Sequence, residues 1–113
     1  MNGERPALGT LRDRVALMRR DQVVGDGGGL ETSFFPLATV WARVTALSPA
    51  LTGHAGGEAA RISHTAVMRY RTDLSPGDRL VYRNTPLEVV SAEDLNGRRA
   101  FLVCRCRAFE QTG

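Results

Sequence analysis

A chain of 113 residues has room for one hydrophobic core, and its apolar fraction of 42% and charged fraction of 24% are those of an ordinary soluble globular protein. No apolar run approaches the roughly 18–20 residues that span a bilayer, and Met1 to Leu11 lacks the apolar stretch of a signal peptide; the expectation is a protein with no membrane partner that stays in the cytoplasm where it is made unless it is assembled into a particle. The net charge of +3 is carried by fifteen arginines and no lysine, too weak a bias to argue for nucleic-acid binding alone.

The pattern along the chain is period-two alternation punctuated by turns, which reads as strands. The first is expected from Leu11 to Arg20, with Val15 and Leu17 on one face and Arg14, Ala16 and Met18 on the other. Asp21 to Ser33 follows, containing Gly25, Asp26, Gly27, Gly28 and Gly29. A glycine run of this kind holds regular structure poorly, so this segment is read as a flexible loop. The second strand runs from Phe34 to Leu47. Val40, Ala42 and Val44 form its apolar set, Trp41, Arg43 and Thr45 point the other way, and Pro36 marks an edge or an unpaired entry.

Ser48 to Arg61 interrupts the pattern with Pro49, Gly53, Gly56 and Gly57, then Glu58-Ala59-Ala60-Arg61. It is read as a long projecting loop with room for a short helix near its end. A stretch of this length without strong structure is often functional or ordered by a partner. The third strand, Ile62 to Thr72, places Ile62, His64, Ala66, Met68 and Tyr70 on one face, with Thr65, Val67, Arg69 and Arg71 opposite. Asp73 to Asp78 is a turn around Pro76-Gly77. Strands at Arg79 to Arg83, Leu87 to Ala92 and Ala100 to Ala108 follow, joined by turns at Asn84-Thr85-Pro86 and at Asp94-Leu95-Asn96-Gly97, where Asn-Gly is a strong hairpin signal. The fold class is therefore mainly β: a six-stranded small barrel or sandwich, one domain over residues 1–113 with an ordered core at about 8–108.

The chain carries no recognisable catalytic constellation and is read as a non-enzyme without a cofactor. Gly27-Gly28-Gly29 matches neither a dinucleotide fingerprint nor a phosphate loop. His54 and His64 lie ten apart, one in a loop and one on a strand, and nothing near them or near Cys104 and Cys106 completes a metal site. The two cysteines sit on one side of a strand, where a disulfide between them is strained, so they read as small buried residues or free thiols. Glu58, Asp73, Asp78, Glu88, Glu93 and Asp94 read as scattered surface carboxylates. Arg69 with Arg71, and Arg105 with Arg107, form pairs on outer strand faces, suited either to ion pairs with neighbouring strands or subunits or to nucleic acid. Trp41, on the face away from the core, is either an interface anchor or a cap on the barrel end.

Several segments in order resemble the phage head–tail joining protein family, which includes head-closure or stopper subunits of siphophages and gene transfer agents. They are Leu11-Arg12-Asp13-Arg14-Val15; the glycine-rich Asp26-Gly27-Gly28-Gly29; Ala38-Thr39-Val40-Trp41-Ala42-Arg43-Val44, like a Val-Trp-Ala-x-Val core; Glu58 with the following alanine pair; His64-Thr65-Ala66-Val67-Met68-Arg69-Tyr70-Arg71; and Gly77-Asp78-Arg79-Leu80-Val81-Tyr82 with the strand pair ending at Cys104. The resemblance covers about residues 8–107, and its specificity lies in motif order and spacing. Gly53-His54-Ala55-Gly56-Gly57 departs from it, where members carry a more helix-friendly stretch, as does Asn84-Thr85-Pro86 in place of a glycine-containing turn.

The resemblance implies a barrel with a projecting loop, assembled as a homo-oligomeric ring of roughly six or twelve copies by symmetry with tails and portals. The ring would sit in the particle neck between a portal-bound adaptor and a tail-terminator or tail protein, passing double-stranded DNA and retaining it once packaged. On that reading Gly25, Asp26, Gly27, Gly28, Gly29, Trp41, Gly53, Gly56, Gly57, Glu58 and Arg61 belong to subunit or partner interfaces, and Arg69 and Arg71 to intersubunit ion pairs or a DNA-facing surface. The rival readings are a small nucleic-acid-binding β-barrel and a tail-terminator subunit of the same particle.

Overall fold

The computed structural model describes residues 11–47 and 62–109. Six strands carry almost all of the regular structure: β1 (Asp13–Val24), β2 (Leu30–Ala46), β3 (His64–Arg69), β4 (Arg79–Tyr82), β5 (Thr85–Asp94) and β6 (Phe101–Ala108). Neighbouring strands are all antiparallel, in the order β1-β2-β3-β6-β5-β4, and β4 pairs back onto β1 to close a barrel. The mainly β, six-stranded expectation is met. The loop expected between residues 48 and 61, with its short helix and with Gly53, Gly56, Gly57, Glu58 and Arg61, lies outside the described residues.

Alternation decides which side chains enter the barrel. Val15 and Leu17 from β1, Ala42 from β2, Ala66 and Met68 from β3, Leu80 from β4, Leu87 and Val89 from β5, and Leu102, Cys104 and Cys106 from β6 form one buried cluster. Small meets large where Ala42 opposes Met68, and two small residues meet where Ala66 opposes Cys104. That mixture suits the narrow interior of a small barrel. Each fully buried leucine here contributes roughly 1.5–3 kcal/mol of transfer free energy.

The turns differ in detail from expectation. The β4–β5 hairpin turns at Arg83 and Asn84, both in the left-handed region with φ of 52° and 65°. Thr85 and Pro86 already belong to β5, opposite Tyr82 and Val81. Asparagine tolerates this conformation because its short polar side chain bonds locally. Between β5 and β6, Asn96 and Gly97 are likewise left-handed, and the Asp94 carboxylate accepts from Arg99 N–H at 2.9 Å.

The largest difference concerns residues 21–33. They are not a loop: β1 continues to Val24 and β2 starts at Leu30, paired residue for residue. Only residues 25–29 turn. The turn is closed by Gly25 N–H to Gly29 C=O at 2.7 Å and Gly28 N–H to Gly25 C=O at 3.0 Å, with Gly28 at φ +87°. β4 pairs with β1 only as far as Met18, and β3 pairs with β2 only from Ala42 onward. Residues 19–24 and 30–35 therefore leave the barrel as a two-stranded arm, roughly 20 Å long at the usual strand rise. A bulge marks its departure: Leu17 opposes Ala38 but Met18 opposes Pro36, so Leu37 is the extra residue. Pro36, which has no N–H to give a ladder, sits where bulges tolerate it.

Candidate partner-binding surfaces

A two-stranded ribbon alone is marginal in water, so the root of the arm matters. There the Asp78 carboxylate, only 5% exposed, accepts from Arg20 N–H at 3.0 Å through Oδ1 and from Ser75 N–H at 2.9 Å through Oδ2. β4 begins at Arg79, opposite Met18; one residue before it, Asp78 prolongs the ladder with its side chain. Gly77, at φ +95°, lies so close to Arg20 that a Cβ would come within 3.2 Å of its Nε. Next to it, the Arg79 guanidinium stacks over the Phe34 ring at 3.8 Å and over the Phe109 ring at 4.8 Å. Its Nε is buried without a hydrogen-bond partner among the described residues, so the aromatic faces are its compensation. These contacts fix the direction in which the arm leaves the barrel.

The arm presents apolar groups at its tip. Val24 and Leu30 face each other across the two strands and are 72% and 69% exposed. From residue 21 to residue 31 the chain carries Asp21, Asp26 and Glu31 and no basic residue. The Glu31 side chain folds against Gly25, and a side chain at 25 would have to push its carboxylate aside. Along the β1 edge two amides are taken: Arg20 N–H by Asp78, and Gln22 N–H by Asp21 at 2.8 Å.

A second surface lies on the outside of β2, β3 and β6. Trp41 is 52% exposed, with the Arg14 guanidinium 4.7 Å from its ring centre. It does not cap the barrel end. Arg43 opposes Val67, which opposes Val103, and Arg69 opposes Phe101. One step along from the Ala42–Met68 pair, Trp41 and Arg69 come level. The face carries Trp41, Val67, Val103 and Phe101 with Arg43 and Arg69 set among them.

The four arginines singled out from the sequence separate. Arg105 and Arg107 pair with neighbouring-strand carboxylates, Glu93 at 3.2 Å and Glu88 at 3.0 Å. β3 ends at Arg69, so Arg69 and Arg71 do not share a strand face. Arg71 instead grips Asp73 through two bonds of 2.7 and 2.9 Å, and its guanidinium holds the Asp73 carboxyl below its ordinary pKa. Arg69 is exposed.

His64 is half-buried beside Ser63 Oγ, 2.8 Å from Nδ1, and burial lowers its pKa. Cys104 and Cys106 are free and buried, and desolvation pushes both thiols up to about 12. Such thiols are poor nucleophiles at neutral pH. Sequence reading took Asp78 for a surface carboxylate, whereas it is buried and accepts two backbone amides at the arm root; it passed over Arg79, Phe34 and the Val24–Leu30 pair. A signal for the arm was present: apolar residues flank the glycine run on both sides, as hairpin strands do. Nothing local marks Arg79 and Phe34 as neighbours, because forty-five residues separate them.

The chain matches the phage head completion proteins over residues 7–108. It belongs to that family. Membership bears out the resemblance read from the sequence, makes the chain a phage-type structural protein, and counts against an enzymatic role. Two solved structures share the fold. A Shigella flexneri 2a protein determined in solution has 21% identity and a TM-score of 0.73, covering 95% of this chain and all of that one. A chain from the virion of a native gene transfer agent particle has 21% identity and a TM-score of 0.66, covering 92% of this chain and 96% of that one. No curated protein matches.

Proposed function

We propose that this head completion protein is the head-closure, or stopper, subunit of a tailed particle. Copies form a ring in the neck, between a portal-bound adaptor and the tail-terminator or tail protein. The ring provides the passage for double-stranded DNA and retains the packaged genome. The observation that carries this reading is the family match across the whole described barrel. The architecture supports it: a closed barrel has no spare sheet edge of its own, and the exposed features left over, an acidic apolar arm and a basic aromatic face, are suited to contacts with other chains. The virion source of one structural relative agrees with a place in a particle assembled from components made in the bacterial cytoplasm.

Deletion of the gene in its particle-producing host, followed by electron microscopy and a DNA content assay, tests this. Tailless heads, filled or leaking, are expected. Normal tailed particles with normal DNA would remove the proposal.

The second reading, a nucleic-acid-binding barrel, draws on the exposed Trp41 beside Arg14, Arg43 and Arg69, a set able to stack bases and meet phosphates. It requires strong, salt-dependent binding of free nucleic acid by the isolated chain. Binding that is absent at about 0.15 M salt leaves head closure alone.

A further inference from the structure

The two exposed surfaces complement each other but cannot meet within one molecule. Arg14 and Val24 lie ten residues apart along β1, roughly 33 Å at the rise of an extended strand. The arm root, held by Asp78 and by Arg79 against Phe34, keeps the tip directed away from the barrel. Yet the tip offers an exposed apolar pair, Val24 and Leu30, within a segment whose only charges are negative. The outer barrel face offers an exposed tryptophan with arginines around it, of which Arg43 and Arg69 form no ion pair with any described residue. Among the described acids beside this face, Glu93 is taken by Arg105 and Asp13 by the Val44 amide.

We propose that the arm tip of one copy seats on the Trp41 face of the next copy. Val24 and Leu30 cover Trp41 and Val67, while Asp26 and Glu31 approach Arg43 and Arg69. The contact is heterologous: tip and face are different patches, so each copy uses both and the chain of contacts closes into a ring when the rotation allows. Strand addition along the β1 edge is a poorer use of the arm, because the Arg20 and Gln22 amides there are already occupied by carboxylates. A tip of this size covers less than a stable two-body interface needs. The contact gains strength from repetition around the ring and from the neighbouring rings that hold the copies together.

This inference rests on the head-closure reading, and its test separates the two. Asp26→Cys and Arg43→Cys are introduced together into the full chain, which complements the deletion host; each single variant serves as control. Particles are purified and oxidised. The native thiols, buried, contribute little. Disulfide-linked multimers of this chain, seen only with the double variant, are expected. Tailed particles that contain the chain but give no such multimers, or that cross-link the tip to a different particle protein, would overturn the inference and leave head closure standing. Absence of the chain from tailed particles would overturn both.

Charge reversal supplies a second readout. D26R with E31R should reduce tailed particles on the order of tenfold or more, since like charges facing across an interface disfavour it strongly. Adding R43E with R69E should restore most of the loss. Failure of the second pair to restore assembly, with the double and quadruple variants equally folded, would also count against the contact.

Discussion

Asp13 and Asp78 do the same physical job at opposite ends of the barrel. Each stands where a neighbouring strand stops, and each offers a carboxylate to an amide that the missing strand would have paired: Asp13 to Val44 N–H at 2.9 Å, Asp78 to Arg20 N–H at 3.0 Å. A buried amide left unpaired costs about 1–3 kcal/mol. Asp78→Ala strands two part-buried amides, Arg20 N–H and Ser75 N–H. The expected loss is about 2–4 kcal/mol of unfolding free energy by denaturant titration; a loss below roughly 0.5 kcal/mol would mean that water replaces the carboxylate at no cost. At Cys104 and Cys106 burial holds the thiols protonated, with pKa values near 12. Labelling by a thiol-specific disulfide reagent at pH 8 should therefore be slow in the native protein and fast in denaturant. Rapid native labelling would mean that β6 opens readily. For Asp73 the sign follows from its lowered pKa, set first by the hydrogen bond from Arg71. Its small contribution to stability is present above the ordinary aspartate value and is lost as pH falls through the lowered one. An NMR titration of the Asp73 carboxyl should give a midpoint below 3.8.

At the scale of elements, the strands were legible and the arm was not. Alternation at Val15 and Leu17, at Val40, Ala42 and Val44, and at Ala66 and Met68 placed the inward set correctly, because burial of one sheet face imposes that period. The glycine run misled because composition indicates where a chain can turn, not how far strands persist on either side. Val23, Val24 and Leu30 pair across the turn although no core covers them. The arm is held from its root, by a turn carboxylate and by an arginine between two phenylalanines, and those partners are remote in sequence. Arg79→Ala should leave the barrel folded, at a cost of about 1–2 kcal/mol for the lost cation–π contacts. It should also raise hydrogen-exchange rates selectively at residues 19–24 and 30–35. Unchanged exchange there would show that Asp78 alone fixes the arm.

The described residues measure 57 × 31 × 25 Å, elongated by an arm that adds nothing to the buried cluster. A chain that keeps such an exposed element has a use for it outside its own fold. Replacing residues 23–31 by a two-residue Asn-Gly turn should preserve the melting temperature to within a few degrees yet abolish complementation of the deletion host; tailed particles from the shortened chain would show the arm to be dispensable. The barrel was legible from strand number and spacing, and the family from the order of its motifs, since both depend on the chain as a line. Which surfaces meet other chains depends on packing between distant segments, which is why Trp41 could be singled out but not oriented. The position of the barrel in the particle decides whether this protein closes the head. A cryo-electron-microscopy reconstruction of the neck should show a ring of these barrels between the portal side and the tail, with every arm reaching the adjacent copy. Density for the barrel elsewhere in the particle, or as isolated copies without ring contacts, would contradict it.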